Sequence, residues 1–247
     1  MKKVNIFGIE IDNLSLKETM DLLEKKLDGD KLFTIATPNT EIAMEAKNKP
    51  DLARLINSFD LVVPDGIGLI KASQIRKLPL KERVTGFDIS IELLKLGKGR
   101  PLSLYILASK EGRSQMAADN IHKSYPGVTV VGNRNGYFTE DDEAEIIDHI
   151  NELNPDVVFV GLGFPKQEDF IARNKDKIKA KIIIGNGGVT DILAGVSKRA
   201  PDIFIKLHLE WFYRLLQEPS RFKRQLALPK FIINVLVDKD SVREVKE

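Results

Sequence analysis

Short runs of apolar residues alternate with longer amphipathic segments over roughly the first 195 positions of the sequence. The runs have the length and composition of buried strands, and the segments between them carry apolar residues at helical spacing. Such alternation is typical of an α/β protein with a mostly parallel sheet, Rossmann-like in arrangement and covered by helices on both faces. The predicted strands are 4–9, 32–37, 60–63, 102–107, 128–131, 157–160 and 181–185.

Two of the segments between the strands have clear helical signatures. Residues 14–27 place Leu16, Met20, Leu23 and Leu27 on one face, and Ser15 with Glu18 can form a capping box at the start. Residues 138–153 begin with Thr139 as a candidate N-cap, followed by acidic residues that suit the positive end of a helix. Both segments are therefore predicted to be amphipathic helices that cover the sheet.

The alternation stops near residue 195, and the remaining sequence predicts helices that are broken near Pro219 and Pro229. We therefore divide the chain into an α/β domain at 1–195 and a helical appendage at 196–247. The first helix of the appendage carries two neighbouring apolar stripes, which must contact the domain, another subunit or a membrane surface. The stripes consist of Phe204, Leu207, Trp211 and Leu215, and of Ile205, Leu209, Phe212 and Leu216.

Composition excludes several kinds of site. The 247 residues include no cysteine, which excludes disulfides and thiolate chemistry, and only three scattered histidines, which argues against a metal site. The apolar run at 231–237 is too short to cross a bilayer, which needs about 20 helical residues. Because the amino terminus lacks the apolar stretch of a signal peptide, we expect the protein in the cytoplasm.

Charge is distributed unevenly along the chain. The formal net charge is +2, but residues 198–230 contain eight basic and three acidic residues, which predicts an anionic partner for that segment. Within it, Arg214, Arg221 and Arg224 would share one face of a continuous helix. This arrangement suits a diphosphate at an apolar boundary, or it is an ordinary basic helix face, and the sequence supports both interpretations equally.

Polar or glycine-rich motifs follow four of the predicted strands. In a parallel sheet the carboxyl ends of the strands share one edge, where the ligands of α/β proteins bind. We therefore expect these motifs to line one site. The candidate residues are Thr37 and Asn39, then Asp65, then Gly161, Gly163, Lys166 and Gln167, and finally Asn186, Gly187, Gly188 and Asp191.

The glycine pairs allow two interpretations. Glycine lets backbone N–H groups approach a phosphate, especially before a helix, and this would suit a nucleotide. Glycine is also common at strand-to-helix turns for backbone reasons alone. The stretch GLGFPK lacks the third glycine of the dinucleotide-binding fingerprint, because position 166 is lysine.

The polar candidates also have structural alternatives. Asp65 could act as a general base, but its spacing slightly favours a cap of the helix that begins near Gly66. Thr37 and Asn39 could bind a sugar or a phosphate, or they could form a turn and an N-cap. Arg83 lies in a loop, where it could stabilise a phosphate leaving group, although a solvated loop arginine is the more common case.

Six segments carry a resemblance that covers most of the chain. They are TPNTEIAMEA, VVPDGIGLIKA, RVTGFDI, GLGFPKQE, NGGVTDILAGVSKRAP and LEWFYRLLQEPSRFKR, in this order between about residues 34 and 224. Together they resemble the WecG/TagA/CpsF glycosyltransferase family, and in particular its TagA-like branch. One stretch departs from the family pattern, which is closer to VGGAFD where this chain has NGGVTD at 186–191.

The resemblance implies an inverting transfer of N-acetylmannosamine, or a related sugar, from a UDP-sugar to a lipid-diphosphate-linked acceptor. In the TagA-like branch the acceptor is undecaprenyl-diphosphate-linked N-acetylglucosamine, and the product belongs to the linkage unit of wall teichoic acid. The resemblance also implies no metal or other cofactor, and work at the inner face of the cytoplasmic membrane. Nucleic acid is not an expected partner, whereas the apolar stripes are compatible with a homo-oligomer.

The same resemblance implies roles for the candidates nearest the reacting atoms. Asp65 would take the proton from the acceptor hydroxyl, and Arg83 would stabilise the departing diphosphate. Thr37 and Asn39 would position the sugars.

The remaining candidates would bind the two substrates. The glycine turns and Gln167 would hold the nucleotide sugar, with Asp191 at the uridine. The appendage would fold over the site so that its arginines bind the lipid diphosphate, which makes the domain at 1–195 catalytic and the segment at 196–247 a completing element. The residues concerned are Gly161, Gly163, Lys166, Gln167, Asn186, Gly187, Gly188 and Asp191 for the donor, and Arg214, Arg221 and Arg224 for the acceptor.

Other functions stay open at this point. GLGFP suggests a Rossmann-like NAD(P)-dependent oxidoreductase, but the missing third glycine and the lack of a ribose-binding acid at the expected spacing count against it. A related transferase of UDP-hexose or of N-acetylmannosaminuronic acid would carry the same motifs. A non-catalytic nucleotide-binding module at the membrane would bind UDP without releasing it from a donor.

Overall fold

The structure, a computed structural model, describes residues 2–207, 209–217 and 227–245. It begins with an antiparallel hairpin of β1 (Lys3–Ile6) and β2 (Ile9–Asp12). The predicted single strand at 4–9 is therefore wrong. The chain reverses at Phe7 and Gly8, which have φ angles of 50° and 92°, as a two-residue turn that matches the twist of a hairpin requires.

Six parallel strands form the central sheet, in the order β4-β3-β8-β7-β5-β6. Except in the edge strand β6, their residues are mostly apolar and buried, because helices cover both faces of the sheet. The α/β fold predicted from the alternation is confirmed. The strands are β3 (Phe33–Ala36), β4 (Leu61–Val62), β5 (Leu102–Ala108), β6 (Val128–Arg134), β7 (Val157–Gly161) and β8 (Ile182–Gly185).

Helices connect these strands and follow them. They are α1 (Leu16–Leu27), α2 (Thr40–Asn48), α3 (Pro50–Asn57), α4 (Ile67–Ile75), α5 (Gly86–Leu96), α6 (Arg113–Ser124), α7 (Glu143–Leu153), α8 (Lys166–Asn174), α9 (Val189–Leu193), α10 (Asp202–Lys206), α11 (Glu210–Gln217) and α12 (Ala227–Val237). One face of the sheet is covered by α2, α3, α4, α7, α8 and α12, and the other by α1, α5, α6 and α9. The described part of the chain contains no helix that is long and apolar enough to cross a membrane.

The two predicted helix starts are both present. The capping box of Ser15 and Glu18 opens α1. Thr139 also opens a capping box, but with Asp142, and the chain makes a short 3-10 turn (Glu140–Asp142) before α7 begins. The acidic residues of this first turn lie where the helix dipole favours them.

The described residues after position 201 divide into two parts. The first predicted helix of the appendage is two helices, α10 and α11, and Leu209, the residue before α11, donates its N–H to the Phe204 carbonyl at 2.7 Å. The second part, α12, begins only two residues before Pro229, so this proline lies in its first turn, where a missing N–H is tolerated. Pro219 lies outside the described residues.

The last described segment packs into the body of the protein. Phe231 and Val235 of α12 are fully buried, and the Phe231 ring contacts the Phe7 ring edge-on at 5.3 Å between centroids. After a 3-10 turn (Lys239–Ser241), β9 (Val242–Glu244) pairs antiparallel with β1. A small sheet of order β2-β1-β9 thus joins the beginning of the sequence to its end. The division at residue 195 stays a prediction.

Candidate active site

The carboxyl ends of the central strands open into crevices. The helices that follow β3 and β7 pack on one face of the sheet, whereas those that follow β5 and β8 pack on the other. Because β8 lies between β3 and β7, the chain leaves neighbouring strands in opposite directions, and this separation opens space for a ligand. The predicted site residues at the ends of β3, β4, β7 and β8 all lie at this edge.

One part of the site is a cleft of about 780 Å³ at the ends of β5, β7 and β8. Six of the predicted donor residues line it: Gly161, Gly163, Lys166, Gly187, Gly188 and Asp191. Sequence reasoning missed the other lining residues, which include Ser109, Lys110, Arg113 and Tyr137. The first three follow β5 directly, so the rule that selects polar strand ends would have found them. Tyr137 lies in a loop and is 72% exposed.

Backbone geometry explains the glycines of the cleft. A β-carbon at Gly161 would lie 2.5 Å from the carbonyl oxygen of Gly187, so the two loops approach more closely than any side chain allows. Gly163 and Gly187 have φ angles of 76° and 57°, in the left-handed region. The loops after β7 and β8 are therefore packed against each other as two walls of one cleft.

The cleft has a basic lining on one side. Lys110 and Lys166 border it, and α8 begins at Lys166, so the positive end of that helix dipole lies at the cleft. Asp191 also lines the cleft, where its carboxylate accepts hydrogen bonds from Ser109 Oγ and from Arg113 at 3.0 Å. Ser109 has a φ of 63°, an unfavourable angle for a residue with a side chain, at the point where β5 ends.

Gln167 lies behind the cleft rather than in its lining. Its side chain is buried, its Oε1 accepts the N–H of Gly187 at 3.1 Å, and its Nε2 donates to Glu168 Oε1 at 2.9 Å. Burial raises the pKa of the Glu168 carboxyl to about 7. Gln167, which was predicted to bind the sugar donor, therefore contacts the loop after β8 through Gly187.

The second part of the site is a crevice around Gly86, the first residue of α5. Asp65 Oδ2 accepts the N–H of Gly86 at 3.3 Å. The N-cap of α4 is Gly66, so Asp65 is not the cap of the helix that follows it in sequence. A β-carbon at Gly86 would lie 3.1 Å from Thr37 Oγ1 and 3.5 Å from the Cα of Asn186. The structure therefore brings Asp65, Thr37 and Asn186 together at one point.

The polar residues that surround this crevice are held by local hydrogen bonds. Thr37 Oγ1 donates to the Gly185 carbonyl at 3.2 Å. Asn39 is the N-cap of α2, where its Oδ1 accepts the N–H of Ile42 at 3.0 Å. Buried Asn186 donates from Nδ2 to Ser90 Oγ at 3.1 Å, and its Oδ1 has no hydrogen-bond partner among the described residues. Asn39 therefore has the N-cap role that was one of its two predicted roles. Its side-chain oxygen makes the cap, so its amide nitrogen is the group that can donate a hydrogen bond to a ligand.

Arg83 is not a solvated loop residue. Its side chain is 14% exposed and forms an ion pair with Glu210, the first residue of α11. Arg199 lies beside the same carboxylate at 3.7 Å and also bonds Asp88 of α5 at 2.7 Å. This cluster of four charged side chains connects α11 to the start of α5. The sequence offers no sign of it, because Arg83 and Glu210 are separated by more than a hundred residues.

The predicted acceptor-binding arginines are less fully defined. Arg214 lies in α11, but the placement of its side chain is not described, and Arg221 and Arg224 lie outside the described residues. Their grouping stays a prediction. Within the described part of the chain, no cluster of three histidine, aspartate or glutamate side chains is arranged to hold a metal ion.

Comparison with known proteins gives a consistent result. A sequence model described as the glycosyl transferase WecG/TagA/CpsF family matches residues 4–244. A relative from Bacillus subtilis (strain 168) is 35% identical over 237 residues, which cover 96% of this chain and 92% of the relative. One from Bacillus spizizenii is 35% identical over 210 residues, with 85% and 81% covered.

A third relative, from Staphylococcus aureus (strain MRSA252), is 32% identical over 247 residues, which cover 99% of this chain and 96% of the relative. All three relatives are named N-acetylglucosaminyldiphosphoundecaprenol N-acetyl-beta-D-mannosaminyltransferase. The match extends over both the central sheet and the segment that carries α10 to α12. The chain belongs to the WecG/TagA/CpsF family of glycosyltransferases.

Proposed function

We propose that this protein transfers N-acetylmannosamine from UDP-N-acetylmannosamine to N-acetylglucosamine linked to undecaprenyl diphosphate, with inversion at the anomeric carbon. The names of the relatives support the sugar and the acceptor. The observation that carries the chemistry is the Asp65 carboxylate. It is half-buried at the end of β4 and faces the same crevice as Thr37 and Asn186.

Asp65 is the general base in this proposal. It takes the proton of the acceptor hydroxyl while the hydroxyl oxygen attacks the anomeric carbon on the face opposite to UDP. The bond between that carbon and the diphosphate oxygen breaks, and UDP leaves with the electron pair. The hydrogen bond from Gly86 fixes one oxygen of the carboxylate, which keeps the base in position.

Arg83 stabilises the departing diphosphate. A guanidinium can form two parallel hydrogen bonds to a phosphate, and the low exposure of Arg83 strengthens such an interaction. Because Arg83 is already paired with Glu210, the diphosphate takes the place of that carboxylate or shares the arginine with it. Lys166 and the positive end of α8 add to the charge that favours a phosphate in the adjacent cleft.

The uridine of the donor occupies the cleft between β5, β7 and β8. The exposed ring of Tyr137 offers a flat surface on which a base can stack. Asp191, which Ser109 and Arg113 hold in place, is an acceptor for the N–H of uracil. The diphosphate then extends past the glycine turns toward Asp65, which puts the sugar in the crevice around Gly86.

The acceptor reaches the site from the inner face of the cytoplasmic membrane. The helices of the C-terminal segment carry exposed apolar side chains that suit the membrane interface, and Arg214, Arg221 and Arg224 bind the lipid diphosphate in this proposal. In this proposal residues 1–195 bind the donor, and residues 196–247 complete the site. The exposed apolar side chains are Ile203, Leu207, Phe212, Leu216, Ile233, Leu236 and Val237.

An assay of UDP release tests the proposal. The full chain is incubated with UDP-N-acetylmannosamine, UDP-N-acetylglucosamine or UDP-glucose, each with and without polyprenyl-diphosphate-linked N-acetylglucosamine in vesicles. We expect release only when UDP-N-acetylmannosamine and the acceptor are both present, at a rate that EDTA does not change. Release from another donor would indicate a related UDP-hexose transferase, and binding of UDP without release would indicate a non-catalytic module.

A further inference from the structure

Glu168 is a buried carboxylate that forms no ion pair with any of the residues that the structure describes. Its side chain is only 4% exposed, Oε1 accepts a hydrogen bond from Gln167, and Oε2 has no hydrogen-bond partner among the described residues. Burying a carboxylate in this way is unfavourable, and an apolar side chain of similar size would be more stable at the same place. The stability of the fold therefore does not explain why a carboxylate occupies this position.

The carboxylate determines the orientation of the Gln167 amide. The backbone N–H of Gly187 can only donate, so it requires the oxygen of Gln167, which lies 3.1 Å away. The nitrogen of Gln167 then needs an acceptor on its other side, and Glu168 Oε1 supplies it at 2.9 Å. A flipped amide would place two donors against each other at Gly187 and two acceptors against each other at Glu168.

Gln167 connects Glu168 to the residues that line the cleft. Gln167 packs against the end of β8 so closely that a β-carbon at Gly185 would lie 2.9 Å from its Nε2. The next loop contains Gly187, whose φ of 57° is held by the bond to Gln167, and Gly187 and Gly188 line the cleft. The chain of contacts thus runs from Glu168 through Gln167 to the turn at 186–188.

We propose that Glu168 is a positioning residue for the donor site, which orients the Gln167 amide so that Gln167 holds the turn at 186–188 in its binding conformation. The identity of the ligand as UDP rests on the proposed function. The contact itself rests only on the geometry of these three residues.

Measurement of UDP affinity in the full chain tests the consequence for the ligand. Glu168→Ala is expected to weaken UDP binding about tenfold, because it removes the acceptor that orients Gln167. Glu168→Gln keeps an acceptor oxygen and should stay within about twofold of the wild type. The double variant Glu168→Ala/Gln167→Ala should bind no more weakly than Gln167→Ala alone, since both changes break the same connection.

Amide hydrogen exchange at Gly187 tests the contact without any ligand. Glu168→Ala should accelerate exchange at Gly187, and Glu168→Gln should not. Asn174→Ala is the matched control, because it removes a buried polar side chain at the other end of α8 and should leave Gly187 unchanged.

Two results would overturn the proposal. One is an unchanged rate of amide exchange at Gly187 in Glu168→Ala. The other is a double variant whose loss of UDP affinity equals the sum of the losses in Glu168→Ala and Gln167→Ala. If the wild type binds no UDP, the proposed donor is wrong, and exchange at Gly187 alone decides the role of Glu168.

Discussion

The carboxylate of Asp65 contacts Gly86 at the start of α5, 21 residues further along the chain, and not the helix that directly follows it. Asparagine at this position would keep an oxygen for the Gly86 N–H but could not accept a proton at neutral pH. We therefore expect Asp65→Asn to lower kcat by about 100-fold or more and to change the melting temperature little. Steady-state kinetics and thermal unfolding of the same preparation would measure both effects.

Asp51→Asn is a suitable control for this substitution, because Asp51 is an exposed aspartate on α3 away from the crevice. A normal kcat in Asp65→Asn would exclude Asp65 as the base. A large loss of stability together with the activity would instead indicate that the carboxylate mainly holds the start of α5.

Glu168 also predicts how stability depends on pH. Burial raises its pKa from 4.5 to about 7, so between these values the folded protein binds more protons at this site than the unfolded chain does. The associated stability is fully present below pH 4.5 and is lost as the pH rises through 7. The difference is on the order of 3 kcal/mol in the free energy of unfolding.

Glu168→Gln removes this titration. Relative to the wild type, the variant should become progressively more stable between pH 5 and pH 8, as measured by urea unfolding at each pH. If the difference in unfolding free energy between the two proteins stays constant with pH, the raised pKa of Glu168 is contradicted. Glu143→Gln, the same change in a carboxylate on α7 that forms an ion pair with Arg173, serves as the comparison.

At the scale of elements, substitutions of Asn39, the N-cap of α2, distinguish a structural role from a role in binding. Asn39→Ala should lower the free energy of unfolding by about 1 kcal/mol, whereas Asn39→Asp keeps the capping oxygen and should be nearly neutral. Aspartate lacks the amide N–H groups, so Asn39→Asp should raise KM about tenfold if these groups bind a sugar. Thermal unfolding and KM together distinguish the two roles. An unchanged KM in Asn39→Asp would show that Asn39 acts only as the N-cap of α2.

The elements that sequence reasoning predicted share one physical property. The central strands are buried on both faces, so they appear as continuous apolar runs that need no partner to be recognised. The turn at Phe7 and Gly8 lies inside such a run, which concealed the first hairpin. β9 has the polar sequence Val-Arg-Glu, and its pairing with β1 depends on residues at the opposite end of the sequence.

At the scale of the whole molecule, the location of the site was predictable but its connections were not. Parallel strands place their carboxyl ends at one edge, so Asp65, Asn186 and the glycine turns could be assigned to it from order alone. The inward direction of Gln167 and the pairing of Arg83 with Glu210 depend on tertiary packing, which no local pattern encodes.

The packing of α12 on the body gives a prediction at this scale. Phe231 is fully buried on this helix, whereas Ile233 is 60% exposed two residues away. Phe231→Ala should lower the free energy of opening α12 by about 3 kcal/mol, and Ile233→Ala should change it by less than about 0.5 kcal/mol. Native-state hydrogen exchange of the α12 amides measures both, and equal effects would show that the helix does not dock through Phe231.

The pairing of β1 with β9 has a consequence for the order in which the protein is made. β1 leaves the ribosome long before β9, and one of its edges has no partner until residues 242–244 have followed. Until then the nascent chain presents an open strand edge, of the kind that recruits other chains. The strand that covers this edge follows α12 in the chain, so residues up to 244 must be synthesised before the small sheet can close.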